Sequence, residues 1–243
     1  MEPVYVLTRW MVIPPLGAWF RWHIEGLNFI PKAGPAIIAS NHIAYLDPLA
    51  IAYAVDRAGR RPRFLTKSEL IRDRKVGWIL RGCGQIEVQR GTRNAPMALE
   101  HAYRALAAGE IVCIFPEGTV TSNQDLSPMR SKTGAPRLAL RSGVPVIPCA
   151  VWGTANVWPK DFRPNWKFKQ ELALRFGEPM SFSGGPDNSQ DWTRTGGEIT
   201  DRIAELVASL RPLIEDRRRP KRPSRRASKA VSDSSVPPSP DHG

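Results

Sequence analysis

Short β-branched or apolar runs alternate with longer helical patterns along most of this 243-residue chain, and this alternation constrains the fold more than any other feature. The predicted strands cover residues 35–40, 63–66, 85–89, 111–115, 144–151 and 171–176. The predicted helices cover residues 48–58, 67–81, 95–108, 135–142 and 192–214. Gly109 and Gly143 follow two of these helices and suit the left-handed position that ends a helix. The pattern predicts an α/β layered sheet.

The chain divides into regions of different composition. These are an N-terminal segment over 1–34, a folded domain over 35–216 and a basic tail over 217–243. In the first region Trp10, Trp19 and Trp22 are interspersed with Arg9 and Arg21, which predicts an amphipathic segment that associates with a membrane interface. An ordinary helix packed on the core fits the same residues, and the sequence leaves both interpretations open. The tail is predicted to be disordered because it has too little apolar surface to bury.

Half of the excess positive charge lies in that tail. The chain has 35 Lys and Arg against 23 Asp and Glu, a formal charge of +12, and the tail has eight basic and two acidic residues. A hydrophobic fraction of 42% excludes a wholly disordered chain. Cys83, Cys113 and Cys149 are far apart and form no C-x-x-C or Cys/His cluster. We therefore expect a reducing compartment, no disulfide framework and no metal site.

The predicted strand 35–40 runs directly into Asn41 and His42, and Asp47 follows the histidine by five residues. On a regular helix five residues turn about 500°, so the two side chains would point roughly 140° apart and could not touch. They can cooperate only if the backbone turns between them, as it does where a strand passes into a helix. Asp47 before Pro48 also suits a helix N-cap, and a lone histidine is usually structural. Neither residue alone predicts catalysis.

A second motif, F-P-E-G-T over 115–119, follows the most apolar predicted strand. A carboxylate, a glycine and a hydroxyl directly after a strand lie where open α/β sheets bind ligands. Pro and Gly also form ordinary turns, so this motif alone is weak. The combination with His42 and Asp47 indicates a functional site.

The two motifs together resemble the glycerolipid acyltransferase family, whose best-known members are 1-acylglycerol-3-phosphate acyltransferases. N-H-x-x-x-x-D over 41–47 precedes F-P-E-G-T by about seventy residues. The other similar landmarks are Lys67, Gly77, Arg90, Lys132, Gly134 and the apolar run 144–151. The resemblance covers about residues 35–180 and implies the α/β fold of that family, with a mixed central sheet flanked by helices.

The resemblance also implies roles for individual residues. His42 would be the general base that takes a proton from a glycerol-backbone hydroxyl as its oxygen attacks an acyl thioester, and Asp47 would hold the imidazole in the required tautomer. The implied substrate-binding residues are Asn41, Lys67, Arg90, Glu117, Gly118, Thr119 and Lys132. Of these, 117–119 would help to hold the acceptor and Arg90 would meet its phosphate. No protein nucleophile, metal or cofactor is implied.

One position departs from the family pattern. Many relatives place Arg or Ser directly after E-G-T, whereas this chain has Val120 and then Thr121 and Ser122. A cation is therefore missing beside the expected phosphate, and Arg130 or Lys132 could replace it. The departure bears on the identity of the acceptor and leaves the implied acyl transfer unchanged.

The resemblance implies acyl-CoA or acyl-carrier protein as the donor and 1-acylglycerol 3-phosphate as the acceptor, with glycerol 3-phosphate or another lysophospholipid as alternatives. The longest apolar run, 10–20, contains two prolines and is shorter than the roughly 20 residues that span a bilayer. We therefore expect a peripheral or monotopic protein on the cytoplasmic face of the cell membrane. The N-terminal segment and the tail are the candidate contacts with an anionic membrane surface, since each Lys or Arg contributes up to about 1 kcal/mol there. A merely solubilising tail is the alternative.

Two other classes of function remain open. A basic tail is compatible with nucleic-acid binding, but the folded region has no recognisable nucleic-acid module and the tail lies outside the motifs. A thioester or lipid hydrolase would use the same base to activate water. The absence of a G-x-S-x-G motif counts against a serine hydrolase and leaves other hydrolases open.

Overall fold

Strands and helices alternate along the chain in the computed structural model, which describes residues 3–88, 95–160 and 163–218. The strands are β1 (Arg21–Glu25), β2 (Ala36–Ser40), β3 (Pro62–Lys67), β4 (Ile86–Val88), β5 (Ile111–Ile114), β6 (Val146–Trp152) and β7 (Glu171–Phe176). The helices are α1 (Pro3–Trp19), α2 (Asp47–Arg57), α3 (Ser68–Arg72), α4 (Gly77–Gly82), α5 (Ala95–Ala107), α6 (Gly134–Ser142) and α7 (Ser189–Arg218).

The strands form one seven-stranded sheet in the order β1-β7-β6-β2-β5-β3-β4. From β6 to β4 every neighbouring pair is parallel, and β7 pairs antiparallel with β6. Strand β1 runs parallel to β7 at the far edge. The α/β fold with a mixed central sheet is therefore confirmed. Because β2, β5 and β6 are adjacent and parallel, their carboxyl ends meet at one edge, where open α/β sheets place ligand sites.

The central strands are buried on both faces, which explains their almost continuous apolar sequence. In β2, Ile37 and Ala39 belong to the core beneath α5, α6 and α7, whereas Ala36 and Ile38 belong to the core beneath α2. All four side chains are fully buried. The helices thus form a layer on each face of the sheet, and both layers fix the ends of β2 firmly in place.

The predicted helix over 67–81 is wrong as a single element. The chain forms α3 and α4 instead, separated by a turn in which the Asp73 carboxylate accepts hydrogen bonds from the backbone N–H groups of Lys75 and Val76. An aspartate that bonds to nearby backbone competes with helix in this way. The two helices then pack closely, since a Cβ on Gly77 would lie 2.3 Å from the Ile71 carbonyl oxygen.

The predicted division at residue 34 also needs correction, because β1 lies within the N-terminal segment and pairs with β7 from Arg21–Glu171 to Glu25–Arg175. This edge strand shows no simple alternation of burial, so its sequence carries little strand signal. Helix α1 has Arg9 as its one charged residue and buries no side chain, so it is apolar on most sides rather than amphipathic with two opposed faces.

Helix α7 extends beyond the predicted domain end at 216 to Arg218. The remainder of the predicted tail, 219–243, lies outside the described residues. Gly109 and Gly143 adopt the predicted left-handed conformation, with φ of 78° and 65°. Among the described helices, none has both the length and the apolar character that crossing a bilayer requires.

Candidate active site

The chain turns sharply in the loop between β2 and α2. The turn brings the Asp47 side chain back against the backbone of this loop. The Asp47 Oδ2 atom accepts hydrogen bonds from the backbone N–H groups of Ile43, at 2.6 Å, and Ala44, at 2.8 Å. Asp47 is the first residue of α2 rather than its N-cap, and Leu46 occupies the cap position without a side-chain bond. The N-cap interpretation of Asp47 is therefore wrong, because the carboxylate satisfies the loop and not the helix.

This turn brings His42 and Asp47 into contact. The His42 Nδ1 atom lies 2.9 Å from Asp47 Oδ2, and the Thr154 hydroxyl donates to the other carboxylate oxygen, Oδ1, at 2.5 Å. Asp47 and Thr154 are fully buried, whereas the His42 side chain is 15% exposed. Since Nδ1 faces the aspartate, Nε2 on the opposite edge of the ring is left for a substrate.

Two side chains that contact His42 or Asp47 were not predicted from the sequence. Thr154 lies just after β6, 107 positions from Asp47, and no local motif marks it. The Phe115 ring stacks on the His42 imidazole, with centroids 4.1 Å apart and planes inclined by 18°. Phe115 belongs to the F-P-E-G-T motif, but the motif itself does not indicate that its aromatic ring orients the histidine.

Asn41 is buried and bonds to the neighbouring strand rather than lining a cavity. Its side-chain amide donates to the Val151 carbonyl oxygen at 3.0 Å, and its side-chain oxygen accepts from the Val151 N–H at 2.8 Å. These bonds tie the end of β2 to β6. Asn41 therefore holds the strand end from which His42 projects.

Glu117 also bonds to backbone. Its Oε1 atom accepts from the His42 N–H at 2.9 Å and its Oε2 atom accepts from the Met129 N–H at 3.0 Å, with the residue only 2% exposed. Burial raises the pKa of Glu117, and the two backbone N–H bonds partly oppose that rise. The side chain thus fastens the F-P-E-G-T loop to the His42 loop.

Gly118 lies beside Lys132, and its conformation requires glycine. Its φ is 69°, and a Cβ built there would lie 3.1 Å from Cδ and 3.3 Å from Nζ of Lys132. The Lys132 backbone N–H donates to the Pro116 carbonyl at 2.9 Å. Lys132 and Arg130 line a cleft of about 390 Å³ against the first half of α7.

A separate cavity of about 430 Å³ is lined by His42 and by residues of α1 and α2. Its lining is largely apolar and includes Val12, Ile13, Leu49, Ala52, Phe64, Leu70, Ile79, Leu80 and Phe115. Thr119, Lys67 and Lys160 also line it. An ion pair between Arg9 of α1 and Asp56 of α2, with one N–O distance of 3.1 Å, joins two of its walls. This cavity, here called the groove, thus combines the His42 imidazole with a largely apolar lining suited to an aliphatic chain.

The residues predicted for the site lie in different parts of the structure. His42, Thr119 and Lys67 line the groove, Asp47 supports His42 from beneath, and Lys132 lies beside Gly118. Val120 is 4% exposed and lines the groove without supplying a charge. Arg90 lies outside the described residues.

Two of the three cysteines are poorly placed to act as nucleophiles. Cys113 and Cys149 are buried, and burial raises the pKa of both thiols, which disfavours the reactive thiolate. No group of three or more His, Cys, Asp or Glu residues suited to a metal ion occurs among the described residues.

Comparison with known proteins places this chain in a family. Residues 21–152, more than half of the chain, match the model of the family described as Acyltransferase, and the chain belongs to that family. A chloroplastic 1-acyl-sn-glycerol-3-phosphate acyltransferase of Brassica napus is 29% identical over 143 residues, covering 58% of this chain and 40% of that protein. A 1-acyl-sn-glycerol-3-phosphate acyltransferase of Borreliella burgdorferi is 32% identical over 139 residues, covering 57% of this chain and 54% of that protein.

The fold is also similar to that of a solved relative. The crystal structure of the 1-acyl-sn-glycerophosphate acyltransferase PlsC from Thermotoga maritima superposes with a TM-score of 0.61 at 26% identity, covering 79% of this chain and 74% of that one. The chain spans about half or less of the length of the Brassica and Borreliella proteins. The resemblance inferred from the sequence motifs is confirmed at the level of the family and the fold.

Proposed function

We propose that this protein transfers a fatty acyl group from a thioester, acyl-CoA or acyl-carrier protein, to the free hydroxyl of 1-acylglycerol 3-phosphate and so forms phosphatidic acid. The observation that carries the proposal is the 2.9 Å contact between Asp47 Oδ2 and Nδ1 of His42, whose side chain lines a largely apolar groove. A buried carboxylate on Nδ1 favours the tautomer in which Nε2 is an acceptor.

In this mechanism Nε2 of His42 takes the proton of the acceptor hydroxyl while its oxygen attacks the thioester carbonyl carbon. The tetrahedral intermediate then collapses, the C–S bond breaks and the thiolate takes the proton back from the imidazolium. Asp47 stabilises the transient imidazolium, and positioned proton transfer of this kind contributes about 10² to 10⁴ in rate. The substrate supplies the nucleophile, in keeping with the burial of Cys113 and Cys149.

The groove and its cations support a lipid phosphate as the acceptor. The apolar walls suit an acyl chain, and Lys67 and Lys160 line the same groove as His42. Lys132 lies beside Gly118 in the F-P-E-G-T loop. The relatives named as 1-acyl-sn-glycerol-3-phosphate acyltransferases support this acceptor over glycerol 3-phosphate. We further propose that the protein is peripheral on the cytoplasmic face of the membrane in which its substrates reside.

The test is thioester consumption by the purified full chain with glycerol 3-phosphate, 1-acylglycerol 3-phosphate, and neutral or zwitterionic lysolipids in turn. Product analysis separates transfer from hydrolysis. We expect 1-acylglycerol 3-phosphate to be the preferred acceptor and His42→Ala to lower its acylation by about 10² to 10⁴. His101→Ala is a matched control, since His101 lies on the exposed side of α5. Unchanged transfer by a folded His42→Ala protein would refute the mechanism.

A further inference from the structure

A segment between β6 and β7 presents aromatic and basic side chains to solvent together. Residues 163–169, here called the aromatic loop, read R-P-N-W-K-F-K, and every residue of the loop is exposed. Trp166 is 45% exposed and Phe168 is 60% exposed, among the largest exposed apolar side chains of the described residues. The loop has three basic residues and no acidic one. The Trp166 ring packs against Phe20 and Trp158, with centroids 6.3 Å and 5.9 Å away, yet nearly half of its surface stays exposed, and this packing does not account for Phe168 or the three cations.

The aromatic loop is held rigidly against the end of α1. The indole N–H of Trp19 donates to the Trp166 carbonyl at 3.2 Å, and the Lys169 N–H donates to the Trp19 carbonyl at 2.8 Å. The rings of Trp19 and Phe168 meet edge to face at 5.4 Å. Lys169 adopts a φ of 63°, an uncommon conformation for a residue with a side chain, which these bonds maintain. The loop therefore presents Phe168 outward in a defined position.

Helix α1, which walls the groove, exposes further large apolar side chains. Leu7, Trp10 and Met11 of α1 are 55%, 68% and 66% exposed. Lys160, in the connection that leads into the aromatic loop, lines the groove as well. A cluster of large exposed apolar side chains, here Trp19, Trp166 and Phe168, marks a surface that contacts a partner.

We propose that the aromatic loop docks on an anionic lipid bilayer, with Trp166 and Phe168 at the level of the headgroups and Arg163, Lys167 and Lys169 against lipid phosphates. Aromatic rings and Lys or Arg side chains are the groups that favour this interface. A symmetric contact between two copies of the chain would bring two loops of three cations each together, with no acidic residue in either loop to pair with them, which disfavours a dimer through this face. The inference extends the membrane location in the proposed function and assigns it a contact beyond the N-terminal segment and the tail.

The experiment measures sedimentation of the full chain with phosphatidylcholine vesicles, with or without phosphatidylglycerol. Lys167→Gln with Lys169→Gln should lower the partition coefficient on anionic vesicles by about fivefold for each lysine that contacts the surface. Phe168→Ser should lower binding to both kinds of vesicle. Lys32→Glu, an exposed position before β2, changes the net charge as much as the double variant does and should leave binding near the wild-type value.

Wild-type binding by both loop variants would overturn the proposal, as would a dimer that Phe168→Ser dissociates while vesicle binding is unchanged. Deletion of 219–243 separates the tail from the loop, since the effect of Phe168→Ser should persist in the shortened chain. Acyl transfer between short-chain, water-soluble substrates should be unchanged in the loop variants. If the wild type transfers no acyl group at all, the proposed reaction fails, yet the vesicle measurement still decides the role of the loop.

Discussion

The hydroxyl of Thr154 donates to Oδ1 of Asp47 at 2.5 Å, while Oδ2 of the same carboxylate faces Nδ1 of His42. Both oxygens of a fully buried carboxylate are thereby bonded, and the carboxylate has no freedom to rotate. The orientation of the imidazole is therefore set by β6 as well as by the loop after β2. A buried network in which every member is bonded stays rigid, and the loss of one member affects the others.

Thr154→Val should separate this positioning from packing, because valine has nearly the shape of threonine and no hydroxyl. It leaves Asp47 Oδ1 without its donor, which should lower the free energy of unfolding by about 1–3 kcal/mol and kcat by about tenfold. The KM should change little because Thr154 does not line the groove. Steady-state kinetics and urea unfolding test this, and Thr154→Ser should restore both quantities. A normal kcat in Thr154→Val would show that Asp47 needs no such support.

Glu117→Gln tests the cost of burying the charge of this carboxyl. Burial raises the pKa of Glu117 above its ordinary 4.5, so the folded protein binds this proton more tightly than the unfolded chain does. The stabilisation from Glu117 is therefore fully present below about pH 4.5 and is lost as the pH rises through its folded-state pKa. Glutamine does not ionise, so the free energy of unfolding of the variant should rise relative to that of wild type as the pH increases from about 4.5 to 7.

Urea unfolding at a series of pH values measures that difference. Glu198→Gln, at an exposed position on α7, is the matched control for the same substitution outside the site. A difference that falls with pH for Glu117→Gln would mean that the backbone N–H groups of His42 and Met129 outweigh the effect of burial.

Gly118→Ala should destabilise the loop beside the site. At φ 69° a side chain costs about 1–2 kcal/mol, and the added Cβ would press on Lys132. We expect a lower free energy of unfolding by that amount and a higher KM for the phosphorylated acceptor. Gly197→Ala on α7 is the control, because a Cβ there meets nothing within 4 Å and should stabilise the helix by about 0.5–1 kcal/mol. An unchanged KM in Gly118→Ala would show that Lys132 does not contact the acceptor.

Ala52→Phe tests whether the groove holds an acyl chain. Ala52 is on α2 and lines the cavity, and a phenylalanine there should fill part of its roughly 430 Å³. We expect kcat/KM to fall by about tenfold or more for long-chain donors and to stay near wild type for short ones, since a lost methylene contact is worth about 1 kcal/mol. Competition between donors of different length measures this directly. An equal loss for every length would show that the chain lies elsewhere.

Elements whose sequence signal is local were predicted well. The bounds of β7 match the predicted strand 171–176, and α5 and α6 end at the glycines expected to end them. The family resemblance rested on 41–47 and 115–119, and the structure brings these two loops together through the bond between Glu117 and the His42 N–H. Local spacing cannot show which atoms make that bond.

Features that depend on distant partners were not predicted. Strand β1 exists because β7, about 150 residues away, offers it an edge. The positions of Thr154 and Asn41 depend on the register of β6 beside β2, which no single segment encodes. The interruption between α3 and α4 was missed for the opposite reason, since one aspartate, Asp73, competes with a helical pattern that is otherwise continuous.

Helix α1 buries none of its side chains although it forms one wall of the groove. Regions with few buried contacts open at a lower free energy than the core does. Separating α1 from the sheet therefore costs less free energy than unfolding the sheet. We expect the contacts among His42, Asp47 and Thr154 to persist at temperatures at which the groove has already opened. Heat inactivation toward long-chain substrates should consequently precede loss of the sheet, and a bilayer that covers α1 should raise the temperature at which it occurs.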